Sequence, residues 1–258
     1  MEIDWLKLWH DLVISNYHYK STEPISWYKK RTERPDQLLD FVLQNTRSDE
    51  TALDIGAGNG RWTIPLARIA RTVTAVEPSQ AMLNLLRENI TDAKASNIQV
   101  LPVTWENASI QPHDIITCAH SMYTNSDFAA FIRKLEQYAN KRCYLAIRLP
   151  PSDGIIGELS MAIYGHCYDS PNAIVAYNAL YSMGIYANVL IESSIHYWVN
   201  SSIEEAFFRA KKHLNIEQDT AYDELIRETL TRRLTYTNNS YRWPDGMRSA
   251  LIWWCSSL

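Results

Sequence analysis

The sequence predicts an α/β fold with a doubly wound, seven-stranded sheet, mostly parallel with an antiparallel last strand, and a helical insert after the fifth strand. Three observations support this. Between residues 51 and 149, short apolar runs alternate with helix-like segments, the pattern that right-handed βαβ units produce. These runs are apolar almost throughout, as in strands covered on both faces. A final apolar run at 249–257 supplies the seventh strand.

The first 149 residues contain five of the predicted strands. Up to about Ser26 the sequence is aromatic and irregular, and a helix is predicted after Pro35, a residue suited to the first helical position. The strands are predicted at 51–55, 72–77, 97–103, 114–120 and 142–149. Helices are predicted at 61–70, 80–90 and 126–139. Ser79 is a suitable N-cap for the helix at 80–90.

The pattern becomes more helical after residue 150. Segment 154–168 is helix-like with glycine interruptions, and Ser170 with Pro171 predicts the start of a helix that ends at Gly184. A long strand is predicted over 186–199. Ser202 with Glu205 forms a capping box that opens a further helix, and another helix is predicted at about 219–234.

Composition and charge narrow the classes of partner. The formal net charge is −4 and no cluster of Lys or Arg is present, so a nucleic-acid partner is not expected. Four scattered cysteines without a CxxC pair predict neither disulfides nor a zinc site and favour a cytoplasmic location. The N-terminal stretch MEIDWLKLWHDLV lacks the pattern of a signal peptide, and no apolar run is long enough for a membrane helix.

A glycine-rich turn after the first predicted strand indicates a ligand close to the backbone. Asp54 is followed by Gly56, Gly58 and Gly60, whose missing Cβ atoms allow a ligand to lie against the main chain. The helix that follows offers unpaired N–H groups. Glu77 ends the second predicted strand, where an acid can accept hydrogen bonds from ribose hydroxyls. This arrangement predicts a site for an adenosine-containing cofactor.

The spacing of the third glycine argues against a dinucleotide. The dinucleotide pattern is G-x-G-x-x-G/A, whereas this turn is G-x-G-x-G with Arg61 at the position of the last small residue. A bulky side chain there disfavours close packing of helix on strand. Asp54 also offers nothing to a pyrophosphate, but it would favour a cationic amino group.

At this point the sequence resembles a known family. ALDIGAGNGRWTIPLA is similar to the first signature motif of class I S-adenosylmethionine-dependent methyltransferases, and VTAVEPSQAMLNLLREN is similar to their second. The resemblance covers about 51–150 well and the rest in outline. It implies a Rossmann-like fold, S-adenosylmethionine as cofactor and S-adenosylhomocysteine as product.

The resemblance also implies the cofactor contacts. Asp54 would face the ammonium group, Glu77 would hold the ribose and Met82 would border the adenine. Where the family often has Gly-Asp-Ala after strand three, this chain has VTWENAS. Trp105 is therefore expected either to stack on the purine or to lie in the core. The complete predicted set is Asp54, Gly56, Ala57, Gly58, Asn59, Gly60, Glu77, Pro78, Ser79, Met82, Thr104, Trp105, Glu106, Cys118, Ala119 and His120.

The end of the fourth predicted strand carries the candidate catalytic residues. His120 and Tyr123 would face the transferring methyl group, His120 as a base or substrate-orienting group. Tyr28, Arg31, Tyr123 and Arg148 are the candidate substrate-binding residues, with Tyr28 and Arg31 on the N-terminal segment. Cys118 with His120 is a poor metal pair, and no metal is predicted.

These observations predict a single domain over 1–258. Its parts are an N-terminal lid segment (1–34), a cofactor-binding core (35–150), a helical substrate lid (151–184) and C-terminal strands and helices that complete the sheet (185–258). The predicted reaction is methyl transfer to a small molecule. A catalytically silent cofactor-binding subunit, a protein methyltransferase and, third, an NAD-dependent enzyme are the alternatives. The acceptor, its nucleophilic atom and the oligomeric state are left open.

Overall fold

The computed structural model describes residues 3–15, 35–168, 170–244 and 246–256. Its main feature is a seven-stranded sheet. The strands of this sheet are β1 (Thr51–Ile55), β2 (Thr72–Val76), β3 (Ile98–Leu101), β4 (His113–Ala119), β5 (Ala139–Leu149), β6 (Asn188–Ile191) and β10 (Arg248–Cys255). Their order across the sheet is β3-β2-β1-β4-β5-β10-β6.

Strand directions confirm the predicted fold class. β1 pairs in parallel with β2 and β4, and the parallel arrangement continues to β3 and β5. β10 is antiparallel to both β5 and β6, so six strands run one way and the last strand of the chain runs against them. The carboxyl ends of β1, β2, β4, β5 and β6 therefore share one edge of the sheet with the start of β10.

Helices cover both faces of this sheet. The helices are α1 (Trp5–Ser15), α2 (Gln37–Gln44), α3 (Thr63–Ala67), α4 (Gln80–Asp92), α5 (Phe128–Tyr138), α6 (Ile155–Tyr164), α7 (Ala173–Ser182), α8 (Ile203–His213) and α9 (Asp223–Arg233). Buried side chains of α1, α5 and α7 pack on one face, and those of α2, α3 and α4 pack on the other. In the described part of the chain, no helix is long and apolar enough to cross a membrane.

Two helices begin at other residues than the sequence predicts, because a neighbouring side chain accepts hydrogen bonds from the first amides of the helix. Asp36 accepts hydrogen bonds from the amides of Leu38 and Leu39, so α2 begins after Asp36 and Pro35 lies outside it. Asn172, rather than Ser170, caps α7 through its side-chain oxygen. The predicted cap of α8 at Ser202 is confirmed, because its hydroxyl accepts from the Glu205 amide.

Two stretches of the chain were predicted wrongly. Residues 5–15 form α1 instead of an irregular segment, and this helix buries the completely enclosed Trp9 against the sheet-facing helices. The run at 186–199 is not one long strand. Only β6 pairs with β10, and residues 192–197 leave the sheet, attached to it by a bridge between His196 and Met247.

A further hydrophobic cluster lies apart from the sheet. Its buried side chains come from α6, α8 and α9 and from neighbouring residues such as Trp243. Next to it, β7 (Val199–Asn200), β8 (Thr235–Thr237) and β9 (Ser240–Arg242) form a three-stranded sheet, and β7 contacts α8. We call these three helices and three strands the cap. The predicted insert at 151–184 is thus divided, because α6 belongs to the cap while α7 packs on the main sheet. Likewise α8, α9 and β7 to β9 do not complete the main sheet as the sequence suggested.

Candidate active site

The glycine turn leaves β1 at the carboxyl edge of the sheet. Its backbone is anchored to the end of β2, because the amides of Gly56 and Ala57 donate to the carbonyl of Val76 at 2.8 and 3.1 Å. Gly56, Gly58 and Gly60 have φ values of 70°, 57° and 89°. These lie in the left-handed region, where glycine alone is free of Cβ strain.

The three glycines meet different surroundings. A Cβ on Gly56 would lie 2.2 Å from Cβ of Ser121, and one on Gly60 would lie 2.7 Å from Cδ1 of Leu86. A Cβ on Gly58 would meet only the Gly56 carbonyl oxygen, at 4.0 Å. Gly56 and Gly60 are therefore required by protein packing, whereas Gly58 borders open space that a ligand can fill.

Glu77 closes the second side of this turn. The side chain is buried, and its two carboxylate oxygens accept hydrogen bonds from the amides of Gly58 and Ser79, each at 2.8 Å. A carboxylate oxygen can accept a second bond. Glu77 is thus fixed by the loop and keeps acceptor capacity, as the predicted ribose contact requires.

Asp54 is a buried carboxylate at the base of the loop. It accepts hydrogen bonds from the hydroxyls of Thr63 at 2.6 Å and Thr117 at 3.1 Å, and no cation of the described residues pairs with it. Burial raises the pKa of Asp54 to about 6, against the hydrogen bonds of the two threonines. A buried carboxylate at the base of the glycine turn, with no cation of the described residues to pair with it, fits a ligand that carries an ammonium group.

Arg61 does not enter the packing between helix and strand. Its guanidinium donates to Oδ2 of Asp36 at 2.6 Å, and the Trp62 indole donates to the same oxygen at 3.0 Å. Asp36 also caps α2. Arg61, whose position argued against a dinucleotide, therefore fixes the glycine turn to the start of α2.

The segment after β3 gives a mixed result for the predicted adenine contacts. The Trp105 indole is buried against Phe131 and Tyr138, with the Lys134 ammonium 4.6 Å from its ring. Trp105 thus takes the core position, and stacking on a purine would require this packing to open. Glu106 is exposed and accepts from the side chain of Asn125. Thr104 and Met82 are half-buried, and Pro78 and Ser79 are exposed.

The loop after β4 lies directly against the glycine turn. The Ser121 hydroxyl donates to the carbonyl of Ile55 at 2.8 Å and lies 3.0 Å from Sγ of Cys118. Burial raises the pKa of the Cys118 thiol to about 12, so this cysteine is not a nucleophile at neutral pH. His120 adopts φ 55°, an unusual conformation for a non-glycine residue.

Three predicted residues meet beyond this loop. Nδ1 of His120 lies 2.9 Å from the Tyr123 hydroxyl, and that hydroxyl accepts from the backbone amide of Arg148 at 2.8 Å. The Arg148 guanidinium contacts the hydroxyl of Ser170, which lies between α6 and α7, and is 3.5 Å from Nε2 of His213 at the end of α8 in the cap. His120, Tyr123 and the end of β5 thus form one hydrogen-bonded group.

A cavity of about 410 Å³ begins one residue further along β5, a volume within the range of small-molecule sites. It lies at the carboxyl edge of the sheet, between the ends of β5 and β6 and the start of β10. Its lining is Leu149, Pro150, Pro151, Ser152, Ile174, Ile191, Ile195, Tyr197, Gly246 and Arg248.

The predicted substrate lid at 151–184 contains Pro151, Ser152 and Ile174 of this lining, but sequence reasoning did not identify the other lining residues. Arg248 was detectable in principle, because an antiparallel last strand places its first residue at the functional edge. Tyr28 and Arg31 lie outside the described residues. Within the described ranges, no three His, Cys, Asp or Glu side chains are grouped closely enough to hold a metal ion.

A sheet in this order, a glycine turn after β1 and a carboxylate at the end of β2 define a class I S-adenosylmethionine-dependent methyltransferase. The methyltransferase domain family model matches residues 27–211, most of the chain, and the protein belongs to this family.

Other known proteins are similar to this chain. An uncharacterized protein of Haemophilus influenzae is 26% identical over 268 residues, covering 98% of this chain and 97% of that protein. An rRNA adenine N-6-methyltransferase of Bacteroides fragilis is 38% identical over 74 residues, 28% of this chain and 27% of that enzyme. The solved YcgJ protein of Bacillus subtilis is similar in fold, with a TM-score of 0.57, 17% identity and coverage of 84% and 97% of the two chains.

Proposed function

We propose that this enzyme methylates a small, largely apolar molecule bound in the cavity at the end of β5. The observation that carries the proposal is the strip of contacts along the sheet edge. It runs from the glycine turn through Ser121 and His120 to Tyr123 and the Arg148 amide, beside the cavity wall at Leu149.

In this proposal the cofactor and the protein have separate tasks. S-adenosylmethionine, when bound, supplies an activated methyl group. The protein must then hold the acceptor in line with that group at near-contact distance. The hydrogen bond to Tyr123 fixes the orientation of the His120 imidazole, which can accept the proton that an O–H or N–H acceptor loses.

Charge supports a small acceptor over a nucleic acid. The formal net charge is −4, and the cavity is lined mainly by apolar side chains. The similarity to the rRNA adenine N-6-methyltransferase covers only about a quarter of this chain. A nucleic-acid acceptor would favour a basic surface instead.

The test is a methylation assay with isotopically labelled S-adenosylmethionine. The acceptors would be a panel of small apolar alcohols, phenols, amines and carboxylates, with ribosomal RNA and denatured bulk protein in parallel. We expect label in a small molecule. Label in RNA or protein alone would overturn the proposal, as would cofactor binding without transfer to any acceptor, the result expected of a silent subunit.

Two variants test the assigned residues. His120→Gln and Tyr123→Phe should each lower kcat by about 10² or more for an acceptor that must lose a proton. In Tyr123→Phe, affinity for S-adenosylhomocysteine should change by no more than about twofold, because Tyr123 is outside the predicted cofactor contacts and the glycine turn is untouched. Tyr186→Phe, which alters an exposed tyrosine, is the matched control. Unchanged kcat in both test variants would remove these residues from the chemistry.

A further inference from the structure

Several of the exposed large apolar side chains of the described residues line the cavity. Ile174, Ile191, Ile195 and Tyr197 are 37 to 49% exposed, and all four line it. They come from α7, β6 and the segment that leaves the sheet after β6. Apolar side chains from three separate stretches, gathered in one concave site, are typical of a ligand-binding site.

One charged group, Arg248, shares this apolar lining. Nη1 of its guanidinium donates to the carbonyls of Glu192 and Ser193, at 3.1 and 2.7 Å. Within the described ranges these are its hydrogen bonds, and no carboxylate oxygen lies within 4.0 Å of it. The guanidinium is therefore held in place by two carbonyls, and its charge is unpaired.

The neighbouring acid does not neutralise this charge. The Glu192 carboxylate is buried, accepts from the Ser249 amide, and also accepts from the Ser194 hydroxyl at 3.0 Å. The other arginine at this edge, Arg148, already contacts Ser170 and His213. Arg248 is the cation in this cavity wall that keeps donors for a ligand.

We infer that Arg248 binds an anionic group of the acceptor, so that the substrate is a small apolar carboxylate. This inference rests on the proposed function and adds the acceptor's charge and orientation to it. The planar fork of a guanidinium matches a carboxylate, and the apolar surroundings strengthen the pairing. The Nε and Nη2 donors would bind the carboxylate while Nη1 stays on the two carbonyls.

Register on the sheet orients the acceptor. Arg248 is opposite Leu149 on neighbouring antiparallel strands, and the next residue back along β5, Arg148, bonds Tyr123 through its amide. One strand spacing of about 4.8 Å and one residue step of about 3.3 Å, at right angles to each other, separate the backbone positions of Arg248 and Arg148, so these positions are about 6 Å apart in the plane of the sheet. The carboxylate end would lie at Arg248 and the methylated end at His120 and Tyr123, a span that suits a small molecule.

The experiment compares 2-naphthoate with its neutral counterpart 2-naphthamide. Both are titrated calorimetrically into the S-adenosylhomocysteine-loaded protein. The wild type should bind the carboxylate at least about tenfold more tightly than the amide, as expected for a charge-assisted hydrogen bond. Arg248→Gln should bind the two equally. Arg242→Gln, which removes the cation over the outer cavity residue Tyr197, should keep the preference.

A conservative variant covers the risk that Arg248→Gln does not fold. Arg248→Lys keeps the charge but not the fork, so its preference should be smaller and still at least about threefold. Equal binding of both probes by the wild type, or a preference that survives Arg248→Gln, would overturn the inference. Methylation of neutral acceptors alone, without any carboxylate preference, would overturn it and leave the proposed function standing. Probe binding with the predicted preference, but no small-molecule methylation, would instead overturn the proposed function.

Discussion

At the scale of one residue, the buried carboxylate of Asp54 should lower the free energy of unfolding at neutral pH. Its pKa of about 6 lies above the ordinary 3.8 because the carboxylate is buried without a counter-charge. Between those two pH values the folded protein binds more protons at Asp54 than the unfolded chain does. The contribution of Asp54 to stability therefore falls as pH rises from about 4 to about 6, and the cost is complete above that window.

Asp54→Asn should accordingly stabilise the cofactor-free protein at pH 8. The shift of about two pKa units corresponds to on the order of 1–3 kcal/mol, and the gain should vanish near pH 4. Affinity for S-adenosylhomocysteine should fall by at least about tenfold, because the ammonium group loses its carboxylate. Urea unfolding at both pH values and calorimetry measure the two effects. Asp49→Asn, at an exposed carboxylate, should change stability by under about 0.5 kcal/mol.

Glu77 makes the second prediction at this scale. Glu77→Gln leaves one acceptor oxygen where two amides, of Gly58 and Ser79, now donate. The amide NH₂ would face a backbone donor, and the ribose contact would be lost with it. We expect affinity for S-adenosylhomocysteine to fall by at least about tenfold. Calorimetry beside Glu88→Gln, on the exposed side of α4, provides the control; affinity within twofold of wild type would contradict the ribose assignment.

At the scale of an element, substitutions in the glycine turn between β1 and α3 should distinguish residues needed for stability from residues needed for cofactor binding. Gly58→Ala places a Cβ in open space at φ 57°, which should cost about 1 kcal/mol of stability and block the cofactor. Gly56→Ala would collide with Ser121, so it should cost about 3 kcal/mol or more. Urea unfolding and calorimetry distinguish the two variants. Normal cofactor affinity in Gly58→Ala would show that the open space at this position is not the binding surface.

The elements and site residues that were predictable from sequence are those whose positions depend on residues nearby in the chain. Asp54, the glycines and Glu77 sit at strand ends within one βαβ unit, so spacing alone placed them beside each other. The end of β6 was not predictable from the apolar run, because long-range pairing determines it: only four residues of the run pair with β10. The division of α6 and α7 was also hidden, since both carry apolar helical faces and only their long-range partners differ. The place of Arg248 in the cavity wall likewise depends on long-range contacts, because it follows from the pairing of β10 with β5 and β6.

At the scale of the whole molecule, the hydrophobic clusters of the main sheet and the cluster of the cap have different relations to the site. The residues predicted to bind the cofactor lie on the main sheet, its loops and the start of α4. The cavity lies where the cap leaves the sheet, because Pro151 precedes α6 and Tyr197 precedes β7. Loosening the cap should therefore affect the acceptor more than the cofactor.

Neighbouring phenylalanines of α8 allow a matched test of this difference. Phe207 is buried in the cap cluster, with the Arg227 guanidinium 4.0 Å from its ring, whereas Phe208 is 66% exposed. Phe207→Ala should lower cap stability by about 3–5 kcal/mol and raise acceptor KM, while affinity for S-adenosylhomocysteine stays within about twofold. Hydrogen exchange should show lost protection in α6, α8 and α9 but not in β1 or α7. Phe208→Ala should change none of these. Equal loss of protection in β1 would mean that cap and sheet unfold as one unit, and that acceptor and cofactor sites are not energetically separable.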